Sequence, residues 1–143
     1  VTFLGYQDEK VVEGLMERCR AYVYAGVEDF GIAPVEAMAA GAPVIAFAQG
    51  GLLDTVKCAS KGIDSATGVL FKDQKVQSLL EAVMWFEQDQ LWQKMSPESI
   101  NNWSQKFSIK SFSSHFETVV RKAWEMHLDS SAIASSDPME FKK

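Results

Sequence analysis

Short apolar runs that alternate with helix-length segments constrain the fold of this chain more than any other feature of its sequence. The apolar runs have the length of buried strands and lie at residues 1–4, 21–25, 44–48 and 68–71. The segments after them place apolar residues at helical spacing, over about residues 8–20, 33–41, 52–59 and 74–86. Strands separated by helices pair in parallel through right-handed crossovers. The sequence therefore predicts an α/β fold with a doubly wound, Rossmann-like parallel sheet and helices on both faces.

The C-terminal part of the chain is predicted to be helical. Ser96 and Pro97 are the residue types preferred at the cap and the first position of a helix. A longer helix is expected over residues 109–128, with Phe112 and Phe116 on its apolar face. Residues 129–143 are rich in Ser, Ala, Asp and Lys with little periodicity, which favours a disordered tail. We therefore predict one domain over residues 1–128, truncated at its N-terminal side by one or two strands, followed by the tail 129–143.

Charge, cysteine spacing and hydrophobicity argue against several classes of protein. The 143-residue chain has a net charge of −5, and its Lys and Arg residues are scattered, which argues against a nucleic-acid surface. Cys19 and Cys58 match no metal-binding or redox spacing, so we expect buried thiols. No apolar run approaches the ~20 residues that a membrane-spanning helix needs. An acidic domain that holds an anion would use backbone amides and helix N-termini for the purpose.

Residues 27–45 give the strongest indication of a ligand-binding site in the sequence. It joins the carboxyl end of a predicted strand to a helix through a loop that contains Gly31, and ligands of open α/β sheets bind at such a place. Glu28 and Glu36 are eight residues apart, so both are placed to face one cleft. Paired carboxylates accept hydrogen bonds from the hydroxyls of a sugar or a ribose. By spacing alone the alternatives stay open: Glu36 as a partner of the helix dipole, Glu28 as a solvated turn residue, and Gly31 as a turn glycine.

Ordered motifs over the first two thirds of the chain resemble one family of enzymes. Residues 28–46 (EDFGIAPVEAMAAGAPVIA) resemble the E-x7-E region of retaining glycosyltransferases of the GT-B architecture, the large "group 1" family. Residues 3–8 are similar to its F-x-G-x-x-x-D/E turn, and residues 67–71 to its T-G-x-L-F segment. Residues 50–56 are similar to its G-G-x-x-E-x-V segment, except that Asp54 stands where glutamate is more common. The resemblance is close over residues 1–90 and looser over 91–128.

The resemblance implies roles for individual residues. Glu28 would lie at the donor sugar, near its hydroxyls and its reacting carbon. Backbone amides around Phe30, Gly31 and Ile32 would contact the sugar and the diphosphate, and Glu36 would accept hydrogen bonds from the ribose. The nucleobase would lie beside the turn formed by Gly5, Tyr6 and Gln7.

The resemblance also implies an activity. The chain would be the donor-binding, C-terminal half of a GT-B enzyme that transfers a sugar from a nucleoside-diphosphate sugar with retention of configuration and without a metal or other cofactor. GDP-mannose is the expected donor, and UDP-sugars remain open. In such enzymes the acceptor domain and a basic diphosphate clamp precede the first segment seen here. We therefore expect this chain alone to bind donor weakly and to catalyse nothing.

Partners and location follow from the same resemblance. Relatives that build polysaccharides and glycolipids work in the cytoplasm, at the cytoplasmic face of the membrane, so peripheral membrane association of the parent enzyme is an expectation. The aromatic face of the last helix favours self-association of the fragment. A non-catalytic nucleotide- or partner-binding module of doubly wound fold is the alternative hypothesis. A receiver-like signalling module is disfavoured, because Leu4, Gly5 and Tyr6 stand where its acidic cluster would be.

Overall fold

The computed structural model describes residues 1–135, with side chains described through residue 128. The chain divides into two compact units, one of Val1–Lys106 and one that begins at Phe107. The strands are β1 (Tyr22–Tyr24), β2 (Val44–Phe47) and β3 (Gly68–Phe71). The helices are α1 (Glu9–Arg18), α2 (Ile32–Ala39), α3 (Leu52–Thr55), α4 (Val76–Gln88), α5 (Leu91–Lys94), α6 (Pro97–Ser104) and α7 (Ile109–Ser135). Short 3₁₀ turns occupy Ala59–Lys61 and Gln105–Phe107.

The three strands form a parallel sheet in the order β1-β2-β3. Val44 pairs with Tyr22 on one side and with Gly68 on the other, and the register continues from there along each strand. All four residues of the central strand β2 are buried. Successive side chains of a strand point to opposite faces, so both faces of the sheet are covered. The predicted α/β class, with parallel strands and flanking helices, is confirmed.

The strand predicted at residues 1–4 is wrong. Residues 1–5 have no regular structure, and Phe3 is 93% exposed. A strand is stable only when its backbone groups pair with a neighbour, and none of the strands found in residues 1–135 pairs with this segment. The apolar run alone therefore predicted an element that lacks its partner here.

The ends of helix α2, which carries part of the predicted site, are set by glycine. The helix stops with Gly41 in the left-handed conformation (φ +84°), as the sequence predicted. The Gly41 amide donates to the Met38 carbonyl and the Ala42 amide to the Ala37 carbonyl, each at 2.9 Å, which is the Schellman pattern of C-terminal capping. Met38 itself is fully buried in the core of the unit. The helix is thus fixed in both length and rotation.

Helix α6 holds the site helix and the segment after it. Asn101 Nδ2 donates to the carbonyl of Ala39 in α2 at 2.5 Å. Trp103 Nε1 donates to the Thr55 carbonyl at the end of α3 at 2.7 Å. The ammonium group of Lys57 lies 3.8 Å from the centroid of the same indole ring, a cation–π contact. Helix α6 therefore braces α2 and α3, the two helices that follow β1 and β2.

Three further elements differ from the sequence prediction. The helix expected over residues 52–59 is interrupted, because residue 58 forms a parallel bridge with Gly68 and divides α3 from the 3₁₀ turn. The short helix α5 was not predicted, since a segment of one turn carries no periodicity to detect. Helix α7 continues to Ser135, into the segment assigned to a disordered tail, because Ser and Ala can extend a helix. Residues 136–143 lie outside the described residues.

The predicted start of α6 has a measurable consequence. Ser96 Oγ accepts a hydrogen bond from the Ser99 amide at 3.3 Å, and Pro97 occupies the first helical position, as expected. We expect Ser96→Ala to lower the free energy of unfolding by about 1 kcal/mol, because it leaves a first-turn amide without its cap. Urea denaturation followed by circular dichroism measures the change. Ser65→Ala in an exposed loop is the matched control, and equal values for both variants would contradict the cap.

Candidate functional site

A cleft of about 480 Å³ lies where β1 ends and α2 begins. It is lined by the last residue of β1, by the loop after it and by the first turns of α2. Five of the residues predicted for the donor site line this one cleft: Glu28, Phe30, Gly31, Ile32 and Glu36. The carboxyl edge of a parallel sheet is where α/β proteins bind ligands. The structure therefore brings both glutamates of the E-x7-E segment to one binding surface.

Gly31 sets the geometry of the helix end that faces the cleft. It is buried and left-handed (φ +84°), a conformation that side chains with a Cβ disfavour. A Cβ at this position would also lie 3.1 Å from a methyl group of Leu52. Gly31 is the N-cap of α2, and no side chain caps this helix end. The first-turn amides, with the positive end of the helix dipole, are thus presented to the cleft as a site for an anion.

Gly50 and Gly51 pack directly against the backbone of residues 28–30, in the loop that carries Glu28. The Gly51 amide donates to the Glu28 carbonyl at 2.9 Å. A Cβ on Gly50 would overlap the Glu28 carbonyl, and a Cβ on Gly51 would overlap the backbone of Asp29 and Phe30. Thr55 Oγ1 in turn donates to the Gly51 carbonyl at 3.0 Å. The glycine pair, which the sequence linked to the family without a role, is needed for close backbone contact.

Tyr24 and Gln74 also hold this loop, and neither was singled out from the sequence. The Tyr24 hydroxyl donates to Glu28 Oε1 at 2.6 Å. Gln74 Nε2, from the segment between β3 and α4, donates to the Ala25 carbonyl at 2.8 Å. The hydrogen bond to the carboxylate raises the pKa of Tyr24 above its usual value of 10, because it stabilises the neutral phenol. A tyrosine at a strand end carries no sequence signal that separates this role from packing.

Glu36 stands at the junction of two clefts. Besides the cleft of the loop, it lines a second one of about 490 Å³ between α1 and α2, together with Glu13 and Met16. Its side chain is exposed. Partial burial raises the pKa of Tyr22, and the negative charge of Glu36 raises it further. The carboxylate is thus a negative group at the rim, within reach of a ligand in either cleft.

The sequence profile described as "Glycosyl transferases group 1" matches residues 1–107. The chain belongs to the group 1 glycosyltransferases. The alpha-1,3/1,6-mannosyltransferase ALG2 of Dictyostelium discoideum is 34% identical over 124 residues, which are 85% of this chain and 28% of that protein. The ALG2 mannosyltransferase of Saccharomyces cerevisiae is 41% identical over 73 residues, 49% of this chain and 14% of that protein. The predicted family is confirmed.

A solved structure extends the comparison to the fold. The sucrose-phosphate synthase from Thermosynechococcus elongatus superposes with a TM-score of 0.70 at 26% identity, over 88% of this chain and 31% of that chain. The parallel sheet with its flanking helices is therefore a GT-B glycosyltransferase fold, as predicted. The chain spans less than a third of the length of each of these three proteins.

The three residues predicted to lie beside the nucleobase, Gly5, Tyr6 and Gln7, are not part of the cleft. Gly5 (φ +63°) and Tyr6 belong to an irregular turn, and Tyr6 is 94% exposed. Gln7 Nε2 donates to the Leu4 carbonyl at 2.6 Å, within the same turn. None of the three lines the cleft of Glu28 and Glu36, so the contact of this turn with a nucleobase stays a prediction. Asp54 is exposed in the short helix α3.

Neither a metal-ligand cluster nor a membrane-spanning helix is found in the described part of the chain. Among these residues, no three His, Cys, Asp or Glu side chains lie together in a way that would hold a metal ion. Both cysteines are free thiols and half-buried, rather than fully buried as expected. Over the same residues, no helix has the length and apolar character needed to cross a membrane.

Proposed function

We propose that this chain is the donor-binding part of a retaining hexosyltransferase that uses a nucleoside-diphosphate sugar. The proposal rests on one observation: Glu28 and Glu36 line a single cleft at the uncapped N-terminus of α2. GDP-mannose is the first candidate donor, because the two relatives named above are mannosyltransferases. The acceptor would be bound by another domain, as expected for a chain that spans less than a third of those relatives.

The cleft has a candidate contact for the diphosphate, the ribose and the hexose of a nucleotide sugar. The diphosphate would lie at the first turn of α2, where amides and the helix dipole favour negative charge in a chain that is acidic overall. Glu36 on the rim would accept hydrogen bonds from the ribose hydroxyls. Glu28, on the opposite end of the loop, would accept them from the hexose. The helix end would offset part of this charge, and the basic clamp expected in the rest of the enzyme would offset more, so the proposal includes no metal ion.

The same arrangement supports transfer of the sugar. When the bond between the anomeric carbon and the diphosphate breaks, negative charge grows on the leaving oxygen. The amides at the start of α2 would be oriented toward that place before the reaction, because Gly31 begins the helix in a left-handed conformation that leaves no room for a side chain beside Leu52. Such preorganised donors stabilise developing charge at little reorganisation cost. Positive charge that develops on the ring carbon would be stabilised by the carboxylate of Glu28.

Binding of nucleotides to this chain tests the proposal. We expect the 143-residue chain to bind GDP and GDP-mannose with a Kd of about 1 mM, equivalent to about −4 kcal/mol. Glu36→Gln should weaken both ligands, since a neutral amide is a poorer acceptor for the ribose hydroxyls than a carboxylate. Glu28→Gln should weaken GDP-mannose and leave GDP unchanged. NMR titration of the backbone amides and calorimetry measure these affinities, with UDP and UDP-glucose compared in parallel.

The matched control is Glu125→Gln, which makes the same change of charge at an exposed position of α7. It should bind every ligand as the unmodified chain does. Addition of EDTA should leave all affinities unchanged. If none of the four ligands binds the folded chain, the donor-site function is refuted. If UDP-glucose binds more tightly than GDP-mannose, UDP-glucose becomes the proposed donor.

A further inference from the structure

The carboxylate of Glu28 accepts a hydrogen bond from a tyrosine at the end of β1. Tyr24 Oη donates to Glu28 Oε1 at 2.6 Å, and both side chains line the cleft. The bond occupies one carboxylate oxygen and leaves Oε2 for a hydroxyl of a ligand. A tyrosine hydroxyl has one proton to donate, so its direction toward Glu28 is unambiguous when the glutamate is ionised.

The backbone at both ends of this hydrogen bond is restrained. Tyr24 is the last residue of β1 and pairs with Ala46 in the central strand. The carbonyl of Glu28 accepts from the Gly51 amide at 2.9 Å. Between them, the Ala25 carbonyl accepts from Gln74 at 2.8 Å. With the main chain held in this way, the freedom that remains to the carboxylate is the rotation of its own side chain.

The tyrosine ring lies across the loop because residue 26 has no side chain. A Cβ at Gly26 would lie 2.8 Å from the Tyr24 hydroxyl oxygen and 2.9 Å from the ring carbon that bears it. The ring therefore occupies space that any larger residue would fill. A tyrosine hydroxyl is protonated and able to donate throughout the physiological pH range. The bond to the carboxylate raises the pKa of Tyr24 further, in the direction that keeps the proton.

We propose that Tyr24 is a positioning residue, which holds one oxygen of Glu28 so that the other faces the hexose of the donor. The inference rests on the proposed function of the cleft. A long side chain at a loop loses rotational freedom when it binds a ligand, and a hydrogen bond made beforehand reduces that loss. Tyr24 thus contributes to recognition of the sugar and not of the nucleotide.

Tyr24→Phe tests the inference, because it removes the hydroxyl and keeps the ring. We expect the affinity for GDP-mannose to fall about threefold to tenfold, and the affinity for GDP to change less than about twofold. In Tyr24→Phe/Glu28→Gln the loss should be smaller than the sum of the two single losses, since Tyr24 acts only through the side chain of residue 28. If UDP-glucose and UDP bind more tightly than GDP-mannose and GDP, the same comparison is made with UDP-glucose and UDP.

A spectroscopic titration reports on the contact itself. With tyrosine labelled at ¹³Cζ, the Tyr24 signal is assigned as the one that Tyr24→Phe lacks. Its pKa should lie above 10 and should fall toward 10 in Glu28→Gln, because the acceptor of the hydrogen bond then carries no charge. A general disturbance of the fold would not shift this one titration selectively.

The outcomes separate the two proposals. If none of the four nucleotide ligands binds the folded chain, the proposed function fails and the role of Tyr24 fails with it. If GDP-mannose binds and Glu28→Gln weakens it, but Tyr24→Phe has no effect or weakens GDP equally, only the positioning role is overturned. Identical titration of Tyr24 in the unmodified chain and in Glu28→Gln would overturn the positioning role whatever the ligands do.

Discussion

Gly51→Ala is expected to unfold the loop of the cleft and to abolish binding of nucleotide sugars. The Gly51 backbone is helical (φ −61°), so alanine fits the local conformation, and the effect comes only from space. The new Cβ would overlap backbone atoms of Asp29 and Phe30, which cannot rotate away as a side chain can. Overpacking of this kind costs about 1–3 kcal/mol of stability or more. The loop should move away from Gly51 and lose the hydrogen bond that holds the Glu28 carbonyl.

Two measurements check this result. Urea denaturation gives the loss of stability, and NMR titration with GDP-mannose gives the loss of binding. Gly14→Ala is the matched control, because Gly14 lies inside α1 and its added Cβ would meet only the flexible end of Arg18. That control should raise stability by about 0.5–1 kcal/mol, as Gly→Ala does within helices. A Gly51→Ala chain that is as stable as the unmodified one would contradict the close contact between the two segments.

Phe86→Ala is expected to have the largest effect on stability. Phe86 is 1% exposed in the core of the unit Val1–Lys106, on helix α4. Truncating a buried phenylalanine removes its transfer free energy and leaves a cavity, which together cost about 3–5 kcal/mol. Domains of this size have about 5–15 kcal/mol of stability in total, so the variant should be marginally folded at 37 °C. Thermal and urea denaturation measure the loss.

Phe3→Ala is the control for this prediction. Phe3 is 93% exposed, so its truncation should change stability by no more than about 0.5 kcal/mol. The comparison also tests whether residues 1–4 are unpaired, as the structure shows them. A cost of several kcal/mol for Phe3→Ala would mean that residues 1–4 do pair as a buried strand, as their apolar pattern predicted.

The core elements were predictable because their signals are local. Strand β3 was predicted with its observed bounds, Gly68–Phe71, since a short apolar run followed by a polar segment favours a buried strand. The ends of α2 and the start of α6 followed from Gly41, Ser96 and Pro97, which act on backbone groups within a few residues. The N-terminal run had the same local signal and failed, because strand formation depends on a partner that periodicity does not report.

The site was predictable in part, for the same reason. The E-x7-E spacing is local, and it was enough to predict that Glu28 and Glu36 share a cleft. The contacts that hold the loop join residues far apart in the chain, as between Gly51 and Glu28 or between Gln74 and Ala25. Tyr24 is near Glu28 in sequence, yet its ring direction depends on the space above Gly26 and on the pairing of β1.

The sequence by itself determined the α/β alternation, the family, and the segment that forms the cleft, because each of these depends on residues that are close together in the chain. The tertiary structure alone decided that the N-terminal run stays unpaired, that Gly50 and Gly51 support the loop, and that Tyr24 takes one oxygen of Glu28. The physical reason is that a strand partner, a backbone contact without room for a Cβ and the direction of a hydroxyl are all properties of two segments at once.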